Sequence, residues 1–355
     1  MHLALKVALS FGQNEVVGLD IGSSAVKLVR LHRDGVGYAV TAAGIANIAP
    51  SSGDSNLKRV NTIRAISECL ALTGIKTKMA VCGVSGTEVA VRDFRFPSLP
   101  PEEIAGAVLL EAAQVCPFNT EDSAVDYQLI PNDGGGLAGI LVAATNSLIK
   151  RKVYLAREAS LDCVLMDVDG LALLNCFSEL EDIEPGQTIA ILNIGSTYTT
   201  LAIMGENRWP FIRDITYAGD DIVKQIAAEN DMSIESVREI LFGDSTAAPQ
   251  TKLHESLEKA CKKLIVAVTE TSRYYKTQEK SAAFEKLFVC GGFALVRGFV
   301  GLLSNQLPVK ALLWNPFDKI RFDVGRNHRA VLQRNVLAKN GPAMVVASGL
   351  AMRSI

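Results

Sequence analysis

The chain has 355 residues, 48% of them apolar and 21% charged, which at roughly 150 residues per domain is room for two compact domains with buried cores. Its 36 basic and 38 acidic residues leave a formal net charge of −2, so no cationic surplus exists to neutralise a nucleic-acid strand or to hold an anionic membrane. Seven dispersed cysteines without a Cys-x-x-Cys pair and four scattered histidines argue against a disulfide framework and a zinc site and for small buried thiols in a reducing compartment.

In chain order, Met1 to Phe11 is apolar with one lysine and no cleavage site, and reads as an extra terminal strand or a lead-in rather than a signal peptide. No stretch reaches the ~20 apolar residues of a membrane helix, and the chain reads as soluble and intracellular. Strand-like runs follow at Glu15–Ile21 and Val26–His32, and Asp34-Gly35 starts a hairpin into a third run, Val36–Ile48. Leu57–Leu72 has the apolar spacing of a helix, and Lys78–Val84 reads as a strand. Next come a strand (Val89–Phe96), a helix opened by Pro100-Pro101-Glu102-Glu103 and running to Val115, and strands at Ala124–Ile130 and Leu137–Ala144. That is enough for a small βαββ subdomain. The polar segment Glu179–Gln187 reads as a linker.

The second half repeats the first. Strands are expected at Thr188–Ile194, Thr199–Met204 and Arg208–Thr216, then a helix (Asp220–Glu229), helical sequence from Ser233 to about Lys280, and a strand, Lys286–Cys290. Each half has a glycine followed by small hydroxyl residues at its first strand turn, the mark of an internal duplication.

These turns are the phosphate-binding candidates. At the first, Gly22 lets backbone N–H groups approach phosphate oxygens and Ser23 and Ser24 add donors. Lys27 supplies a point charge, and Asp20 can hold Mg²⁺ through water. The second offers Gly195, Ser196 and Thr197. A third element, Gly291-Gly292-Phe293, ends a strand and starts a helix, leaving room for a flat base or ribose against backbone. Singly, each is also what an ordinary Gly-Ser hairpin or Gly-Gly helix start looks like.

Together the three elements resemble the actin/Hsp70/hexokinase ATPase superfamily. A narrower resemblance is to the FtsA-related PilM family of type IV pilus assembly. It rests on Val17-Gly18-Leu19-Asp20-Ile21-Gly22-Ser23-Ser24-Ala25-Val26-Lys27, Phe94-Arg95-Phe96-Pro97, Tyr217-Ala218-Gly219-Asp220-Asp221-Ile222, Asn315-Pro316-Phe317 and Ala347-Ser348-Gly349-Leu350-Ala351-Met352-Arg353. The resemblance implies an α/β actin-like ATPase fold, with two Ribonuclease-H-like lobes around a nucleotide cleft. Residues 1–86 and 156–187 would form the first lobe, with a helix at about 342–355 returning to it. Residues 87–155 would be an inserted FtsA-type subdomain, and 188–341 the second lobe, with a helical part at about 231–285.

It further implies ATP and Mg²⁺ as cofactors, with Gly22, Ser23, Ser24, Lys27, Gly195, Ser196 and Thr197 on the phosphates and Asp20 on the metal. Gly291, Gly292 and Phe293 would lie beside the adenosine, with Lys224 near the base or ribose. The implied partner is the N-terminal cytoplasmic tail of a PilN-like inner-membrane protein, docked by the first lobe and its insert, so that membrane contact is indirect. Other pilus-assembly proteins and the protein itself are further implied partners, and the rival readings are an FtsA-like filament former, a small-molecule kinase of the sugar or acetate type, and a nucleotide-free pseudo-ATPase adaptor of a related secretion machine.

One departure bears on turnover. The superfamily usually opens its second turn with Asp, and here the residue is Asn193. It adds no charge to a metal or a nucleophilic water, so slow hydrolysis or none is expected. Asp167 and Asp169 are the available carboxylates for a base, with Asp167 read first as the cap of a helix over Gly170–Phe177. The run Arg273-Tyr274-Tyr275-Lys276 reads as the wet end of a long helix, and the basic run Arg321–Lys339 as a solvated face.

Overall fold

The computed structural model describes residues 16–131, 135–205, 209–243, 250–279, 284–322 and 328–353. Met1 to Phe11, read above as a strand or lead-in, and Arg326 of the basic run lie outside the described residues.

Strands β1 (Val17–Ile21), β2 (Ala25–Asp34) and β3 (Gly37–Asn47) form an antiparallel meander, and helix α1 (Ser55–Thr73) leads to β4 (Met79–Val84), parallel to β1. The chain then makes β5 (Val89–Phe96), α2 (Pro101–Val115), β6 (Ser123–Ile130), β7 (Leu137–Thr145) and α3 (Asn146–Glu158). It returns as β8 (Asp162–Val168), parallel to β4, and continues into α4 (Asp169–Leu180).

The second half opens with the meander β9 (Ile189–Ile194), β10 (Thr199–Met204) and β11 (Pro210–Ile215), followed by α5 (Gly219–Asn230), α6 (Ile234–Phe242) and α7 (Gln250–Glu279). Strand β12 (Lys286–Cys290) lies parallel to β9 and, after α8 (Phe299–Gln306), β13 (Lys310–Leu313) lies parallel to β12. A short β14 (Arg321–Phe322), α9 (His328–Asn340) and α10 (Val345–Ala351) close the chain.

The six-stranded sheet has the order β14-β3-β2-β1-β4-β8 and the five-stranded sheet β11-β10-β9-β12-β13. Leaving β14 aside, both follow one plan: a three-stranded meander whose first strand pairs in parallel with a later strand, which in turn pairs in parallel with one more. All five residues of β1 are buried and so are five of the six in β9, as central strands covered on both faces require. The third sheet, β5-β7-β6, is the expected βαββ unit. In it Ile104, Val108 and Ala112 of α2 pack on Phe94 and Leu141, while Leu109 stays 55% exposed.

Local signals set the helix ends. Asp54 accepts the N–H groups of Asn56 and Leu57 at the start of α1, and Gly74 ends it in the left-handed region. Helix α10 is buried throughout and packs on β1 and α4. Helix α4 also lies on β10, and Phe177 meets Phe288 and Trp314 with ring centroids 4.7 and 5.0 Å apart. One apolar core thus continues from the first sheet into the base of the second.

Three expectations change, and helix α3 and strands β13 and β14 are elements additional to those read from the sequence. The start of the expected linker is the end of α4, where the Tyr38 hydroxyl donates to Glu179 (3.1 Å), and just beyond it the Trp314 indole N–H donates to Glu181 (3.1 Å). Of the supposed wet end of the long helix, Tyr274 is 48% exposed but Tyr275 only 2%, because Tyr275 packs against Phe211. Asp167 does not cap a helix, as described below.

Candidate functional site

The two Gly-Ser turns fold alike because each joins two paired antiparallel strands. Gly22 N–H donates to the Ala25 carbonyl at 3.1 Å, and Gly195 N–H to the Tyr198 carbonyl at 3.0 Å. Both turns open onto one cavity of about 800 Å³, lined on one side by Asp20, Gly22, Ser23, Ser24 and Lys27 and on the other by Asn193, Gly195, Ser196, Thr197 and Tyr198. Gly291 and Gly292 line it as well. Gly291 has φ +95°, and a Cβ there would sit 2.6 Å from Asn193 Oδ1, so the close approach of β12 to the second turn requires glycine.

Charge is concentrated on the first-sheet side. Lys27 Nζ lies 3.0 Å from Asp20 Oδ2, so the lysine expected to meet a phosphate is engaged by the carboxylate expected to meet the metal. Asp169, at the start of α4, also lines the cavity, and its buried Oδ1 has no hydrogen-bond partner among the described residues. Burial, reinforced by the nearby charge of Asp20, raises its pKa to about 7, against the opposing pull of Lys152 and a bond from Ser85. Lys152 itself donates to the Ile21 carbonyl at 2.6 Å. Among the described residues no group of three or more His, Cys, Asp or Glu is placed to hold a metal.

The structure does not bring every expected residue here. Phe293 is 4% exposed and stacks edge-to-face with Phe242 and Phe299, under Gly219, and Lys224 is exposed on α5. Neither lines the cavity. Asp167 is displaced as well: α4 has no side-chain cap, and the buried Asp167 instead accepts Arg353 Nε at 2.6 Å.

Several site residues escape sequence reasoning. Lys58 and Arg59 of α1 and Lys150, Arg151 and Lys152 of α3 all line the cavity, and the helical spacing of Leu148, Leu155 and Ala156 behind Thr145, whose hydroxyl accepts the Leu148 N–H, is the signal that could have found α3. Asp214 on β11 accepts Thr200 Oγ1 at 2.5 Å and, from the first sheet's side, the Gly86 N–H at 2.6 Å. Its burial also raises its pKa. Gly86 has φ +97°, and a Cβ there would lie 2.8 Å from the Tyr198 ring, so this junction ties the base of the insert to the second turn.

A second cavity, about 390 Å³, lies between Asp126–Pro131 along β6, Leu165–Asp167 of β8, Leu171 and Leu174 of α4, and Arg353. Both β6 and β8 are edge strands of their sheets. Among the described residues, no helix is long and apolar enough to cross a membrane.

Solved structures with the same fold include the "PilM-PilN type IV pilus biogenesis complex", with TM-score 0.78 and 24% identity over 96% of this chain and 98% of that one. Ethanolamine utilization protein EutJ from Carboxydothermus hydrogenoformans matches with TM-score 0.55 and 14% identity, covering 96% of this chain and 90% of that one. A diol dehydratase-reactivating factor matches with TM-score 0.51 and 10% identity over 95% and 99% of the two chains. The fold is actin-like. A family model for type IV pilus assembly protein PilM matches residues 18–355, and the chain belongs to that family.

Proposed function

We propose that this protein is an ATP-binding scaffold of type IV pilus assembly that docks the N-terminal cytoplasmic tail of a PilN-like inner-membrane partner. It would sit at the inner face of the membrane through that partner. The observation that carries the nucleotide half is the pair of identically folded Gly-Ser turns facing each other across one cavity, with Gly291 and Gly292 at its wall. The turns would embrace the phosphates from both sides, with Gly22, Ser23 and Ser24 on one and Gly195, Ser196 and Thr197 on the other.

The donor set fits a hard cation held mainly by the nucleotide. Mg²⁺ commonly takes one or two carboxylates plus phosphates and waters rather than a full protein cage. Asp20 and the Asp169 oxygen that has no partner among the described residues are of that kind. When bound, the ion would neutralise phosphate charge. Asn193, turned toward Gly291 and Cys290, adds no further charge, and hydrolysis on this reading is slow.

For the partner, the groove between the insert's edge strand β6 and α4 is the favoured place, because an extended peptide could use both the edge backbone and the apolar wall of Leu171 and Leu174. Lobe closure around a nucleotide would shift the groove by way of Gly86 and Asp214, as a population shift between two states. Fluorescence anisotropy of a labelled peptide carrying the partner's tail tests this. Binding should be saturable, lost in Leu174→Arg, and changed in affinity by Mg-ATP; unchanged binding in Leu174→Arg would move the docking site elsewhere.

A further inference from the structure

The walls of the nucleotide cavity are chemically unequal. The second-sheet wall is neutral, whereas beyond the first turn the cavity carries cations from α1 and α3. Lys27 adds little net charge to this side, because the carboxylate of Asp20 pairs with its ammonium at 3.0 Å.

Lys152 stands apart from the others. Its side chain reaches from α3 to the carbonyl of Ile21, the residue before Gly22, so it is fixed against the turn itself (2.6 Å). An ammonium has three N–H donors, and Ile21 takes one of them. Asp169, whose buried oxygen has no hydrogen-bond partner among the described residues, lines the same cavity. A cation anchored to the first turn, in one cavity with a carboxylate oxygen that could take a water or a metal, is suited to a terminal phosphate. Lys58 and Arg59 at the rim of the same cavity extend the positive field outward.

We propose that Lys152 reads the terminal phosphate of a nucleoside triphosphate, with Lys58 and Arg59 drawing the phosphate chain onto the first-sheet wall, so that the protein distinguishes ATP from ADP at α3 rather than at the second turn. The proposal rests on the nucleotide reading above. It assigns Lys152 a direct contact with the ligand, and it makes α3 an element whose position depends on whether the third phosphate is present.

The test is calorimetric titration of Mg-ATP and of Mg-ADP into nucleotide-stripped wild-type protein, Lys152→Gln, Lys152→Arg and the double variant Lys58→Ala/Arg59→Ala, each checked for an unchanged melting temperature. Loss of a hydrogen bond between charged groups predicts about 10- to 100-fold weaker ATP binding in Lys152→Gln, with ADP changed less than about 3-fold. Lys152→Arg should recover part of the ATP affinity, and the double variant should weaken ATP more at low than at high ionic strength. Equal losses for ATP and ADP would mean that Lys152 only props up the turn, and no loss for either would remove it from the site; both results overturn the proposal. If folded wild-type protein binds neither nucleotide, the nucleotide reading itself falls and takes this one with it.

Discussion

The two Gly-Ser turns share a backbone and differ in chemistry. Each closes with a glycine N–H donating to the carbonyl three residues on, at 3.1 Å in the first and 3.0 Å in the second. Around the first stand Asp20, Lys27, Lys152 and Asp169; around the second, Asn193, Ser196 and Thr197. The two halves therefore share a turn that sets small residues at the wall of one cavity, as the proposed phosphate contact would need. The charges sit on one copy only. The second turn is instead held in place by backbone, with Gly219 and Asp220 N–H groups donating to the carbonyls of Gly195 and Ser196 at 3.0 and 2.9 Å. A one-sided site can hold a nucleotide without arranging two charged walls for hydrolysis.

The largest expected effect comes from cutting the junction between the copies. Asp214→Ala would leave the Thr200 hydroxyl and the Gly86 N–H without their acceptor. Each lost bond costs about 1–3 kcal/mol, partly offset by removing a buried carboxyl, so urea unfolding should show a net loss of about 2–4 kcal/mol. A loss below about 1 kcal/mol would mean that the junction contributes little to stability.

Next, the shared backbone predicts matched costs. A Cβ on Gly22 would sit 2.8 Å from the Ala25 carbonyl oxygen, and one on Gly195 2.9 Å from that of Tyr198. Gly22→Ala and Gly195→Ala should each destabilise by about 1–3 kcal/mol and agree within about 1 kcal/mol. A wide disagreement would show that the turns are not equivalent.

Asp169 separates the copies by pH. In the folded protein its pKa is raised to about 7, so between about pH 4 and pH 7 the folded state keeps a proton that the unfolded chain has already lost. This group's contribution to stability therefore falls as pH rises through that window. Asp169→Asn should be more stable than wild type at pH 8 by roughly 1–3 kcal/mol and nearly equal to it at pH 3.5, when unfolding is measured without nucleotide or metal. An equal difference at both pH values would contradict the assignment.

The smallest effect is expected from Asn193→Asp, which gives the second turn the charge it lacks. Mg²⁺-dependent nucleotide affinity should rise about 3- to 10-fold, with some increase in phosphate release. No change in either would show that the residue is too firmly turned toward Gly291 to take part.

The fold was legible largely because its information is local. Buried parallel strands read as continuous apolar runs, and caps such as Asp54 and Gly74 mark the helix ends in sequence. Both Gly-Ser turns were readable for the same reason, since each needs only a glycine and hydroxyl residues between paired strands. What escaped depends on distant neighbours. Asp214 follows Arg213 in a short strand where nothing local marks it, and the partner that makes it a junction, the Gly86 N–H, is 128 residues away. The basic run Lys150–Lys152 masked the helical period of α3. Phe293 had the right position in the motif, but its ring fills the core under Gly219, where Phe242 and Phe299 provide a better apolar contact than a cleft would.

On the proposed reading a nucleotide is held between two turns of which only one is charged. Titrating Mg-ATP into folded, nucleotide-stripped protein, with phosphate release followed in the same sample, tests it most directly. Saturable one-to-one binding is expected, with negligible release over the time of the titration. Absence of binding by folded protein would contradict it, and rapid release would contradict the one-sided arrangement of charge.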